Sequence, residues 1–311
     1  MLVKVLGSAA GGGFPQWNCA CRNCAGIRAG TLPAKMRSQM QVAFSPATGV
    51  WFLVGASPDL RRQILDTPEL SPSPEQPGHS PIAGVFLLSA DVDSVMGLLH
   101  LREFQSFSIF ATPAAQRILR EQNNIFRVLE RSRPPVQWET LSSGQRIGHC
   151  LPAMPGVEPV FFYSIVTLGN SFPDYGREDL RGSAVPEDAT VGLLVEQGGR
   201  KLFIAPCLPD NNSEWIDLAA SSTVALLDGT FWSNEELLAT GRSNKTARDM
   251  GHLPLSGPDG LLAKYPKDGR GRKILIHINN TNPILDESSE EHRAAIEAGF
   301  EIAYDGLNIQ L

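Results

Sequence analysis

The chain has 311 residues, of which 42% are hydrophobic and 19% charged, and its net charge is −6. That composition suits a globular chain able to bury a sizeable core, and the acidic balance argues against nucleic acid or an anionic membrane surface as partner. No apolar stretch is long enough to span a bilayer, and the N-terminal run is too short for the h-region of a signal peptide.

Residues 2–6 alternate like a first strand and run into Gly7-Ser8-Ala9-Ala10-Gly11-Gly12-Gly13, where the backbone must turn in places that side chains would crowd. A glycine-rich loop after a first strand can cradle phosphate. Here no helical pattern follows, and a phosphate site needs a helix N-terminus aimed at the ligand. Cys19, Cys21 and Cys24 come next as C-x-C-x-x-C, on a loop of about residues 17–26. Thiolates this close suit a tetrahedral structural zinc in a reducing compartment, the cytoplasm by default, rather than a disulfide framework. A fourth ligand must come from elsewhere in the chain.

Residues 40–44 and 51–54 read as a hairpin around residues 45–49, and Ser57-Pro58 opens a helix through about residue 65, with Ser57 as its cap. Residues 67–81 are rich in Pro and Ser without periodicity, a surface loop. Val85-Phe86-Leu87-Leu88 then has the length of a buried strand. Ser89-Ala90 ends it, Asp91 and Asp93 follow, and Val95, Leu98, Leu99 and Leu101, with Gly97 among them, mark a short amphipathic helix. Strand, acidic turn and helix place polar groups at the carboxyl end of a sheet, where ligands bind in α/β folds. Two carboxylates two residues apart are hard donors for a divalent cation. On spacing alone the stronger reading is an N-cap for the helix that follows.

Further on, residues 107–110 read as a strand, about 113–121 as a helix and 160–168 as a long apolar strand. The polar, Gly/Pro-rich stretch 169–188 reads as a lid or entrance loop. Residues 191–196 and 201–205 flank Gln197-Gly198-Gly199-Arg200 as a hairpin. A buried strand at 224–227 ends in Asp228-Gly229-Thr230, another at 273–276 ends in His277, and a helix at 288–298 precedes a closing strand at 301–304. Hairpins followed by strand–helix alternation, in both halves, suit two mixed sheets packed together with helices outside. The expected class is α/β, an αββα sandwich spanning residues 1–311 as one domain. Of six histidines, His79 and His292 read as surface residues, His100 as packed, and His149 carries no signal. His252, after Met250-Gly251, and His277, beside an Asn-rich turn, are the candidates for ligation.

Together, GSAAGGGFPQWNCACRNC, the DVD turn with GLLHLRE, DGTFW, MGHL and HINNTNPIL resemble, nearly end to end, the PqqB family of pyrroloquinoline quinone (PQQ) biosynthesis proteins, within the metallo-β-lactamase superfamily. The resemblance implies a metallo-β-lactamase-like αββα sandwich, a cytoplasmic protein, and a part in making PQQ from a Glu-Tyr precursor. That family is described both as an iron-dependent tyrosine hydroxylase and as a carrier in transport of PQQ to the periplasm. The cysteine cluster is similar to the zinc loop of PhnP-like phosphodiesterases, where a C-terminal histidine completes the site. Asn280 is the matching residue, so the fourth donor lies open between Asn280, His277 and another residue.

The superfamily's hydrolytic H-x-H-x-D-H falls on Ser89-Ala90-Asp91-Val92-Asp93-Ser94, where Asp93 alone matches. The bridging aspartate falls near Pro206, and residues 160–168 hold no counterpart of the histidine expected before the Gly-Gly hairpin. A two-zinc hydrolase needs ligands that this chain does not supply. The resemblance leaves Asp91, Asp93, His252 and His277, which contain the two-histidine-plus-carboxylate set of mononuclear iron oxygenases. Ser94 stands where family members carry histidine, a change that lowers metal affinity or favours a hard ion. Asp228 is the expected outer acceptor for His252 or His277. Arg102 and Lys245 are candidates, on charge alone, to meet substrate carboxylates. The implied cofactors are a structural zinc and an active-site divalent metal, iron. The implied partner is a dipeptide or other small-molecule PQQ precursor, with neither nucleic acid nor membrane insertion, and a homodimer is left open.

Overall fold

The computed structural model describes residues 1–103, 105–150, 160–169, 172–173, 175–176, 188–209, 213–241, 243–266, 269 and 271–311. Among these residues, two seven-stranded sheets face each other. The first passes, in spatial order, through Leu307–Gln310 (β14), Leu2–Gly7 (β1), Gln41–Ala47 (β2), Val50–Val54 (β3), Ile82–Phe86 (β4), Ser108–Ala111 (β5) and Gln137–Thr140 (β6). The second passes through Phe300–Ile302 (β13), Arg272–Ile276 (β12), Val224–Asp228 (β11), Arg200–Ala205 (β10), Thr190–Gln197 (β9), Phe161–Gly169 (β8) and Ile147–His149 (β7).

The central strands are largely apolar on both faces, their residues alternating between two cores with the period of two that a strand imposes. In β10, β11 and β12, Leu202, Ile204, Val224, Leu226, Ile274 and Ile276 enter the core between the sheets. Their neighbours Phe203, Ala205, Ala225, Leu227 and Leu275 turn outward, under the helices on that side. The first sheet does the same, with Phe86 and Leu88 inward and Val85 and Leu87 outward. Strands covered on both faces have no solvent side to spend on polar residues. The run β3–β4–β5–β6 is parallel, and so is β10–β11–β12–β13. Several carboxyl ends therefore share one edge, where polar side chains collect.

Several elements depart from the sequence reading for local reasons. The β2–β3 hairpin turns on Thr48-Gly49, with Gly49 at φ 77°, and Pro46 is accommodated at a register shift between Phe44 and Ala47. Ser57 is not a cap. Its amide donates to Gln41 Oε1 at 2.9 Å and its hydroxyl to Gln63 Oε1 at 2.8 Å, so the helix begins at Leu60. The helix after the acidic turn splits into an α-turn, Val92–Val95, and a 3₁₀ segment, Met96–Leu101. Gly97 lies there because a Cβ would come within 2.2 Å of the Ser57 carbonyl oxygen. His100 is exposed, not packed.

Residues 300–302 join the second sheet, and the strand that closes the chain is β14, antiparallel to β1. His149, which carried no signal, lies on β7 with its ring against Phe52, Phe110 and Phe161, and burial pushes its pKa down. Most of the lid expected at 169–188 lies outside the described residues. No helix among the described residues is long and apolar enough to cross a membrane.

Candidate metal centres

The carboxyl ends of β4, β10, β11 and β12 deliver Asp91 and Asp93, Cys207, Asp228 and His277 to one corner, and the loop after the 3₁₀ turn Arg248–Met250 adds His252. Asp228, fully buried, ends β11. Its Oδ2 meets His252 Nδ1 at 2.9 Å and accepts the Leu208 amide at 2.9 Å, while Oδ1 accepts the Thr230 amide at 2.9 Å. An ionised carboxylate can only accept, so the His252 hydrogen sits on Nδ1 and Nε2 is left for a ligand.

His277 is held in a comparable way. Thr230 Oγ1 lies 2.8 Å from its Nδ1 and 2.9 Å from its carbonyl oxygen. With the hydroxyl hydrogen on the carbonyl, Oγ1 accepts from Nδ1–H and Nε2 turns toward Asp93 Oδ2, 3.2 Å away. Among the described residues His277 alone of the non-glycines takes a positive φ, 60°. Bonds on both sides impose that conformation: before it Gly229 donates to Ile276 O at 2.8 Å, and after it Ile278 donates to Ser8 O at 3.0 Å and Asn279 to Thr230 O at 3.1 Å. The rings of His252 and His277 stack 5.4 Å apart at 26°.

Asp91 does not cap the helix that follows it. Asp91 occupies the N-cap position of Val92–Val95 with extended φ and ψ, yet its side chain accepts no cap bond. Its amide donates to Ser89 Oγ at 3.3 Å, and the Tyr175 hydroxyl donates to the Ala90 carbonyl beside it. The glycine-rich loop has its purpose here too. A Cβ on Gly11 would lie 3.3 Å from Asp93 Oδ2, so the loop backbone closes over that carboxylate.

Electrostatics mark the corner as cation-seeking. Burial, then Asp93, raises the Asp91 carboxyl above its ordinary range. Burial opposes ionisation of Asp93 and Asp228 as well, but the imidazoles outweigh it and hold both below the usual carboxylate range. Burial likewise works against the His277 imidazolium, and the hydrogen bond and charge of Asp93 reverse the outcome, raising its pKa. Three carboxylates facing two imidazoles leave an excess of negative charge that a divalent cation would neutralise.

Of the sequence candidates, the structure brings together Asp93, His252, His277 and Asp228, with Asp91 close enough to sense Asp93 and both imidazoles. Arg102 and Lys245 are not brought in. Arg102 pairs with Glu103 at 3.1 Å and donates to Leu99 O, and Lys245 is exposed on the surface. One neighbour went unforeseen. Cys207 Sγ and nitrogens of His252 and His277 all lie within 4.8 Å of one another. The expected bridging-ligand position near Pro206 was one residue short of it.

The second centre is the cysteine loop. Cys21 stands just before the helix Arg22–Ala29 and Cys24 within it, and the three Sγ atoms of Cys19, Cys21 and Cys24 lie within 4.8 Å of one another. The Asn280 carboxamide faces all three, its Nδ2 3.2, 3.6 and 3.3 Å from the sulfurs of Cys19, Cys21 and Cys24. Asn280 is therefore at the thiols as a hydrogen-bond donor through Nδ2, while His277 is engaged at the other corner. Asn23 ties the loop down, donating to Asn280 O at 3.2 Å and Asn282 O at 2.9 Å. Burial pushes the Cys24 thiol up to about 11, so proton loss there calls for a cation. Both donor sets fit a metal: clustered thiols for zinc at one, imidazole and carboxylate for a borderline divalent ion at the other.

A family profile described as Beta-lactamase superfamily domain matches residues 50–278. Coenzyme PQQ synthesis protein B of Pseudomonas protegens is 38% identical, and that of Stutzerimonas stutzeri 40%, each aligned over the whole of both chains. Zn(2+)-bound PqqB from Methylobacterium extorquens superposes with a TM-score of 0.86 at 36% identity, covering all of both chains. A diphosphatase from the PhnP family, at 16% identity and a TM-score of 0.63 over 100% of this chain and 97% of that one, shares the fold alone.

Proposed function

The chain belongs to the coenzyme PQQ synthesis protein B family, within the β-lactamase superfamily, and from that premise we propose that it serves PQQ synthesis as a metal-dependent hydroxylase of the tyrosine ring in a Glu-Tyr precursor. Asp91, Asp93, His252 and His277 would hold the catalytic metal, iron on this reading. Cys19, Cys21 and Cys24 would hold a structural zinc, with the Asn280 amide donating hydrogen bonds to the sulfurs. The observation that carries the reading is the convergence of the two imidazoles. Asp228 and Thr230 fix their Nδ1 sides, and their other nitrogens share a corner with Asp93.

When bound, iron(II) would supply the one-electron chemistry that lets dioxygen react with an aromatic ring. Inserting one oxygen atom into a ring C–H consumes dioxygen, two electrons from an external reductant such as ascorbate and two protons, and leaves the second oxygen as water. The residues have separate duties. Asp228 keeps the His252 proton on Nδ1 and Thr230 does the same for His277, so each ring would turn Nε2 to a bound metal, the His277 Nε2 proton leaving as the metal binds. Asp93 adds a carboxylate on the His277 side, and the backbone of Gly11 packs against it. Zinc at the cysteines would require thiols kept reduced, which suits a cytoplasmic setting.

The test is anaerobic iron(II) loading, then addition of Glu-Tyr, dioxygen and ascorbate, with mass spectrometry of the dipeptide. The expected product is the catechol, one oxygen atom heavier. Dipeptide binding without catechol would instead support a carrier of PQQ or its precursor.

A further inference from the structure

β10 ends at Ala205, whose partner in the parallel strand β11 is Leu227. Two residues beyond that end comes Cys207, and the next amide, Leu208 N–H, donates to Asp228 Oδ2 at 2.9 Å. The same oxygen holds His252 Nδ1 at 2.9 Å. One buried carboxylate thus fixes both the peptide that carries Cys207 and the imidazole beside it. The thiol is not packing material. Leu208 lies in the apolar core beneath the outer helices, and Cys19, Cys21 and Cys24 pack with that core, but Cys207 belongs to none of the three apolar clusters. Burial, followed by the nearby carboxylates of Asp228, Asp91 and Asp93, pushes the pKa of Cys207 up. Its Sγ and one nitrogen from each of His252 and His277 lie within 4.8 Å of one another. Donors about 2.0–2.3 Å from a single tetrahedral ion stand roughly 3.3–3.8 Å apart, so a small inward movement would let one ion meet all three.

We infer that Cys207 Sγ is a ligand of the same cation as His252 and His277, making the corner a mixed sulfur, nitrogen and oxygen centre. This rests on the reading that the corner holds a metal, and it adds which metals. Ligation releases the thiol proton to solvent and leaves a thiolate on the ion, Cys–SH plus M²⁺ giving Cys–S–M⁺ plus H⁺. A thiolate beside two imidazoles selects borderline ions such as zinc, iron(II) and cobalt(II), and soft cadmium, over magnesium, calcium and manganese.

Cadmium-113 NMR of the full chain, loaded with cadmium alone, separates the possibilities, because each sulfur donor moves the resonance strongly downfield. Two resonances are expected, one far downfield from the cysteine cluster and one less so from the corner. Cys207→Ser should shift the second upfield and leave the first in place, which also shows that the variant is folded. In competition, wild type should prefer cadmium over magnesium by at least tenfold more than Cys207→Ser does at the corner. A second resonance that does not move in Cys207→Ser overturns Cys207 as a ligand while leaving the metal corner standing. A wild-type spectrum with the cluster resonance alone overturns the metal corner itself, and the thiol's role with it.

Discussion

The cysteine loop and the strand-end corner are both built to hold a cation, and they do it in opposite ways. The loop gathers three donors within six residues of chain, and the fold adds Asn280. The corner gathers its groups from segments up to 184 residues apart, His277 meeting Asp93, and hydrogen bonds aim each one. They meet in a single stretch, since His277 serves the corner and Asn280, three residues later, faces the thiols. A clustered site can organise its own backbone, so its metal contributes to folding. A convergent site is organised by the finished sheet, so its metal contributes to chemistry.

That contrast breaks if the two centres respond alike to removal of a ligand. Cys24→Ser is expected to cost the most, lowering Tm by about 10 °C or more as the loop loses its zinc. Asp91→Asn, which removes a corner donor whose carboxylate burial already disfavours, should lower Tm by no more than about 2–4 °C, the shift of roughly 1 kcal/mol in a domain of a few hundred residues. Scanning calorimetry compares them, and equal losses would show that the corner also serves folding.

Asp228→Asn comes next. The variant keeps one acceptor where two oxygens now take the Leu208 and Thr230 amides and His252 Nδ1. Corner metal affinity should fall about 10- to 100-fold. Titration with a fluorescent zinc competitor would measure it, with the cysteine zinc unchanged as the internal reference.

Glu236 sharpens the comparison, because it braces the stretch both centres share. Its Oε2 accepts the Trp232 amide at 2.7 Å, and Oε1 accepts the Thr281 hydroxyl. Burial pushes its pKa up to about 7 from 4.5. The folded state then binds the proton more tightly than the unfolded one. This stabilising contribution is full below about pH 4.5 and is lost as pH rises through about 7, a difference on the order of 3 kcal/mol. Glu236→Gln stays neutral, so it should match wild type near pH 4.5 and exceed it in Tm at pH 8. Parallel Tm profiles across that range would remove Glu236 from the account.

Gly11→Ala should have the smallest effect. The added methyl presses on Asp93 Oδ2 from 3.3 Å, so corner affinity should fall about two- to fivefold with Tm nearly unchanged. Isothermal titration with zinc would detect it.

Legibility in the sequence follows the same division. The cysteines could be read from spacing, and the sandwich from buried strands bounded by turn residues, because both are local patterns. His252 and His277 were suggestive only in company, and Asp91 read more naturally as a cap. What separates a cap from a metal-facing carboxylate is where the side chain points, and that is set by His277 across the sheet edge. Cys207 was invisible for a related reason: a single thiol after Pro206 has no spacing to announce it, and only the placement of β10 beside β11 brings it to the histidines. The strands β6, β7 and β14 were missed because each is short, and β6 and β14 carry largely exposed residues that blur the alternation.

The central claim is that the corner holds a cation of its own. Metal content per chain, measured by inductively coupled plasma mass spectrometry on protein prepared without chelator or affinity tag, tests it most directly. Wild type should carry about two metals and a His252→Ala/His277→Ala double variant about one, the zinc of the cysteines. A double variant that retains the wild-type metal content would contradict the account.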